Sequence, residues 1–403
     1  MKRVVLCLGV LLVVVSAGAF FRAARRADVS PTLSRGAFQH TWSPAEAAAY
    51  LDYRESWWQG WQRAQKDHGT ICISCHTVLP YALVRPDLRA QLSENGLSPA
   101  ELKMLGSIET RVTHWSQTTP YYTDAAHAQP SRGTESVLNA FVLAAYDRRS
   151  GQFTSVTRQA FDEAWALQNS SGGWPWQDFH ESPWESPESA YWGAALMAIG
   201  VNNTPKSYRD EPAVRPHVNQ LQDYLRRTYS DQPTINQLFV VWAGESMDGL
   251  VSNTQRSQLA QKIERLQHPD GGWSLGSLDD RVVRKPEMLD MFRPGGGRDG
   301  SDGCGTGLAV LGLEKAGVAI QDRAVQRGLE WLRSHQYQDG SWWAPSLNVL
   351  RPPDSEVGRF MSDAATGYAV LAIDQAREKQ AADGTTAAAS DTTASPRDKR
   401  SGT

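Results

Sequence analysis

The sequence predicts an all-α fold, a single α/α toroid in which inner and outer helices alternate. Two observations carry this. The pattern Gln-x-x-x-Gly-(Gly/Ser)-Trp occurs three times, at 168–174, 267–273 and 336–342. Each copy closes a helical stretch (157–168, 254–267 and 321–336), and self-similarity at a long period marks a repeat architecture. Between these amphipathic stretches lie helices of a second kind, near 136–146, 189–200, 235–246, 303–316 and 364–376, rich in Ala, Leu, Val and Gly and poor in charge. Residues 137–145 are apolar on nearly every face, and a helix apolar all round is buried.

Taken in order, residues 1–26 read as a signal peptide or N-terminal membrane anchor. Met1-Lys2-Arg3 is basic, residues 4–21 are apolar, and Ala17-Gly18-Ala19 has the small-x-small form of a cleavage site. Arg22, Arg25 and Arg26 follow the apolar run and weaken any charge argument for its orientation. The expected location is periplasmic or otherwise extracytoplasmic, tethered to the inner membrane where the segment is retained.

Residues 27–130 read as a small haem-binding helical segment, with helices near 44–66 and 99–115 that either complete the ring or form the haem subdomain. It contains Cys72-Ile73-Ser74-Cys75-His76, which reads as a c-type haem attachment site. Cys72 and Cys75 are spaced to bond the two haem vinyl groups, and His76 to ligate the iron. Haem c is therefore the expected cofactor, and the cytochrome c maturation machinery and a redox protein are expected partners. A reversible dithiol or half of a metal site is the alternative; there is no second Cys-x-x-Cys in the chain. Cys7 lies in the leader and Cys304 has no partner in sequence, so no disulfide framework is expected. For the sixth iron position the candidates are His114 and Met104, with an open position as a third choice.

The toroid spans 131–378, with residues 379–403 as a disordered tail rich in Ala, Thr, Asp and Ser. Four acidic residues, Glu135, Glu188, Asp302 and Asp363, stand near the starts of inner helices and would converge at one mouth of the ring. They are candidates for a ligand pocket. Their ordinary reading is helix capping. Asp302 follows the Gly-rich stretch 294–300, an ordinary place for a functional loop.

The repeats resemble the QW motifs of the squalene–hopene cyclase, oxidosqualene cyclase and protein prenyltransferase superfamily, most fully in Gln267-His268-Pro269-Asp270-Gly271-Gly272-Trp273. The resemblance covers roughly 130–376 and implies an α/α barrel around an apolar cavity. The Asp-x-Asp-Asp acid of squalene–hopene cyclases is absent. Ser362-Asp363-Ala364-Ala365-Thr366 only loosely follows the oxidosqualene cyclase segment, and no His joins Asp302 and Cys304 as a prenyltransferase zinc site would require.

Three functions follow. The first is an exported c-type haem protein whose toroid takes an apolar, isoprenoid molecule for electron transfer or redox chemistry. The second is a terpene cyclase-like enzyme with Asp302 or Asp363 as proton donor. The third is a non-catalytic hydrophobic-ligand or scaffold protein. A formal charge of −3 without a basic patch gives no case for nucleic acid.

Overall fold

The computed structural model describes residues 35–39, 41–279, 300–349, 351–352 and 355–392, with side chains to residue 382. The leader at 1–26, most of the Gly-rich stretch and residues 393–403 lie outside these. Among the described residues no helix is long and apolar enough to cross a membrane.

Twelve helices of ten or more residues stand among the described residues, paired as six outer–inner hairpins. They are α1 Pro44–Gly60 and α2 Val78–Gln91; α3 Pro99–Thr113 and α4 Ala128–Ser150; α5 Ser155–Leu167 and α6 Ser189–Asn202; α7 Arg215–Thr228 and α8 Thr234–Ala243; α9 Asn253–Arg265 and α10 Gly303–Lys315; α11 Arg323–Ser334 and α12 Phe360–Thr392. The even-numbered helices pack in sequence, α2 on α4, α4 on α6, α6 on α8, α8 on α10, α10 on α12, and α12 back on α2. The chain is thus an all-α toroid with a closed inner ring. Its inner helices are the more deeply buried, most fully α10, where all thirteen residues are buried. The outer helices bury one stripe, as in α11, where only Val325, Gly328, Leu329, Trp331 and Leu332 are buried.

Of the segment 27–130, the described residues from 41 on do not stand apart from this ring. α1 and α2 form its first hairpin, α2 wedges between α12 and α4, and residue 130 falls inside α4. No packing boundary lies there.

The repeats are the stitches of the ring. At each one the Gln amide donates to the carbonyl of its own turn and to the next outer helix. Gln168 reaches Gly172 and His217 (3.1 and 3.2 Å), and Gln267 reaches Gly271 and Ala324 (2.9 Å each). Gln336 reaches Gly340 and Ser43 (3.0 Å each), and its carbonyl oxygen accepts from Ser43 N at 2.7 Å. That last stitch joins α11 to the residue capping α1 and closes the outer ring. Each Trp turns back on the helix it leaves: the Trp174, Trp273 and Trp342 indoles donate to Ala164, Ile263 and Leu332 carbonyls at 2.7, 2.7 and 2.9 Å.

The axis of the ring is packed. Trp184, Trp192, Phe239 and Tyr368 form a closed cycle of ring contacts between 5.7 and 6.1 Å, from α6, α8, α12 and the loop before α6. All four are buried. The apolar chamber implied by the cyclase resemblance is occupied by the protein's own aromatics. At the chain's end, α12 runs through 379–392, where a structureless tail is expected; the stretch is Ala-rich, and Ala is the strongest helix former.

Candidate functional site

The loops that lead from outer to inner helices gather at one mouth of the toroid and enclose a recess of about 300 Å3. Cys72, Cys75 and His76 line it, together with Trp58 and Trp61 from α1, Tyr121 and Tyr122 from the α3–α4 loop, Trp184 and Glu185, and Arg351, Phe360 and Met361.

The backbone of the Cys-x-x-Cys-His turn is tied down by its surroundings. Trp58 Nε1 donates to the Cys72 carbonyl (2.8 Å), Cys72 N to the Ala64 carbonyl (2.8 Å) and Ile71 N to Ser107 Oγ (2.9 Å). Ser74 Oγ accepts from Thr77 N and Val78 N at 3.2 and 3.1 Å, so the motif's own serine satisfies the start of α2. Neither thiol is in a disulfide. Burial pushes the Cys72 thiol up to about 12 and Cys75 well above its ordinary value, the opposite of an activated thiolate. A reversible dithiol catalyst needs a ready thiolate. Among the described residues, no group of three or more His, Cys, Asp and Glu side chains could hold a bare metal ion.

His76 is held by three neighbours. Its ring stacks on Phe360 at 4.0 Å and meets Trp58 edge-on at 5.2 Å. Its Nδ1 lies 2.8 Å from Thr77 Oγ1, and Thr77 Oγ1 lies 2.7 Å from Asp363 Oδ2. Proton accounting then fixes the tautomer. Asp363 accepts from four donors: Tyr50 OH, Arg54 Nε, Arg54 Nη2 and Thr77. Thr77 gives its one hydroxyl proton to Asp363, so its lone pair receives the Nδ1–H of His76. Nε2 is left bare. Burial, with Arg351 and Arg54 adding to it, pushes His76 well below its ordinary value, which keeps the imidazole neutral.

The sequence-derived acids separate. Asp302 caps α10: Oδ1 accepts from Gly305 N and Oδ2 from Leu275 N, both at 2.7 Å, and burial pushes it up to about 7. Glu135 is two turns inside α4, because that helix begins at 128, and it pairs with Arg111 and Arg132. Glu188 occupies the N-cap position of α6 without a side-chain capping bond. None of the three lines the recess. Asp363 sits in the first turn of α12 behind His76; burial pushes it up while Arg54, Thr77 and Tyr50 pull it down. Met104 is a fully buried core side chain of α3, and His114 is exposed at its C-terminal cap, bonded to the Thr110 carbonyl. Neither reaches the recess; Met361 does.

Thr77, Phe360, Arg351 and Glu185 carry no motif and are not legible as site residues. Arg351 pairs with Glu181 (3.0 Å) and lies over the Phe360 ring. Burial, then Glu181, pushes Glu185 up to about 7 against the pull of Arg351. Trp184 Nε1 and Gln177 Oε1 are buried at the recess without a hydrogen-bond partner, a donor and an acceptor left for a guest. A haem fits this donor set: two thiols, a bare imidazole nitrogen, aromatic walls, and Arg351 with Trp184 Nε1 for propionate oxygens.

A larger depression of about 450 Å3 lies at the other mouth, among the C-terminal ends of the inner helices. Its charges satisfy one another, as in Arg149–Asp87 and Lys315–Glu245 at 2.7 and 2.8 Å.

No family model matches the chain, and no curated protein does. Among solved structures, a glycosidase is 12% identical, with 83% of this chain and 97% of that chain covered and a TM-score of 0.47.

Proposed function

We propose that this chain is an exported c-type haem protein in which Cys72 and Cys75 carry the haem as thioethers and His76 ligates the iron through Nε2. The observation that carries the reading is the setting of His76, which lines the recess with two free thiols and has Nδ1 2.8 Å from Thr77 Oγ1, an arrangement that leaves Nε2 as the nitrogen for a ligand bond. Bound there, haem would supply one-electron chemistry. The chain's own residues do the rest. Thr77 keeps the Nδ1 proton, Phe360 and Trp58 fix the imidazole plane, and Arg351 and Trp184 offer donors to carboxylates. Met361 takes the place of Met104 and His114 as candidate for the sixth position.

On this reading the cytochrome c maturation machinery loads the protein outside the cytoplasm, and a redox partner or an apolar, isoprenoid molecule exchanges electrons at the recess. Such a molecule approaches from the mouth, because the axis is filled. A cyclase role for Asp302 or Asp363 has less support, since the oxygens of both already accept hydrogen bonds from protein donors. Co-expression with maturation proteins and intact-mass measurement tests the proposal. A mass gain of one haem, lost in Cys72→Ala/Cys75→Ala, is expected; an exported, folded protein of bare polypeptide mass would overturn it.

A further inference from the structure

We infer that Thr77 and Asp363 are a positioning pair for the axial imidazole, raising the electron density that His76 delivers to the iron and so holding the haem potential down. This rests on the haem reading above. Metal-bound histidines are tuned through their second nitrogen, and a carboxylate behind that nitrogen raises the ligand's basicity. Here the carboxylate acts through one hydroxyl, His76 Nδ1 to Thr77 Oγ1 at 2.8 Å and Thr77 Oγ1 to Asp363 Oδ2 at 2.7 Å.

The relay is built to transmit. Thr77 and Asp363 are almost fully buried, so water does not compete for either bond. A hydroxyl that donates to an anion becomes a better acceptor, and chains of hydrogen bonds polarise one another at low dielectric. Arg54 grips Asp363 with two nitrogens, at 2.7 and 3.1 Å, and its charge is shared with Glu356. The cations nearest His76, Arg351 and Arg54, oppose a negative field at the ring, so the carboxylate acts on the imidazole through the hydrogen bonds of the relay. Tyr50 OH also donates to Asp363, at 2.8 Å, and drains part of the carboxylate's charge.

Opposed substitutions separate tuning from scaffolding. In the haem-loaded full chain, Thr77→Val severs the relay and is expected to raise the midpoint potential. Thr77→Ser keeps the hydroxyl and is expected to restore it. Tyr50→Phe removes a competing donor from Asp363 and is expected to lower the potential. A spectroelectrochemical titration reads all three. Unchanged potentials in haem-loaded Thr77→Val and Tyr50→Phe, or shifts of the same sign in both, would overturn the relay while the haem reading stood. Absence of covalent haem in the wild-type protein would instead remove the reading itself. Should Thr77→Val not fold, Asp363→Asn, with the same expected rise, decides.

Discussion

Asp302 and Asp363 sit in related stretches of sequence and end in different employment. Asp302 bridges two backbone amides and does nothing else that the geometry reveals. Its replacement by Ala is expected to cost about 1–2 kcal/mol, the range for a lost helix cap, in a denaturant titration, with haem content unchanged. Asp363 backs the motif histidine. The pentapeptide stands out in sequence because its spacing is the one that haem attachment would require. The Thr77 link has no such signal, because a threonine after a histidine carries no signature until α12 closes back on α2 and brings Asp363 within reach. Met361, proposed for the sixth position, carries no signature in sequence either. Met361→Leu is expected to leave the haem attached, while carbon monoxide binds faster to the reduced iron; binding at the wild-type rate would remove Met361 from the sixth position.

At the scale of the helix and its turn, the Gln-to-Trp repeat could be read as a helix stop followed by a Trp that folds back, and both features are present. What sequence withheld was the partner of each Gln, which lies one outer helix further on. Gln336 is the sensitive copy, because it ties α11 to the cap of α1. Gln336→Ala breaks three hydrogen bonds in a buried place; at about 1 kcal/mol net each the loss is a few kcal/mol, read by thermal unfolding. Gly340 is the matching backbone test. Its φ is +86°, and a Cβ there would stand 2.0 Å from the Glu46 carbonyl oxygen. Gly340→Ala is expected to destabilise by more than about 1 kcal/mol and to open α1 to proteolysis before the rest of the ring.

For the molecule as a whole, alternation of helix types gives stacked inner and outer helices, with a linear solenoid as the alternative, and closure rests on inner helices apolar on both sides. Whether the helices before residue 130 complete the ring or form a haem subdomain stays open in sequence, and α2 itself carries no signal there. The packed axis was hidden too, since Trp184 and Trp192, Phe239, and Tyr368 come from three separate stretches of the chain.

The folded ring also buries several carboxyls whose proton affinity rises: Glu55 and Glu314 to about 8, and Asp302 to about 7. Burial is the largest cause in each. A carboxyl pushed up in the folded state binds its proton more tightly there than in the unfolded chain. Its contribution to stability is therefore present below the ordinary value and lost as pH rises through the folded one. Asp67 and Asp270, held down by hydrogen bonds, act in the opposite sense and lose their contribution in acid. Stability is expected to fall between about pH 4.5 and 8, the interval spanned by Glu314. Both oxygens of Glu314 lack a hydrogen-bond partner. Glu314→Gln should flatten the decline, and an unchanged slope would contradict this account.

On the proposed reading, the mouth of this toroid holds a covalent haem. The most direct measurement is a pyridine haemochrome spectrum with an in-gel haem stain, on protein matured outside the cytoplasm, beside Cys72→Ala/Cys75→Ala. The account expects a c-type spectrum and a stain that survives denaturation in the wild type and disappears in the double variant. A folded wild-type protein with neither would contradict it, and Cys72, Cys75 and His76 would need another explanation.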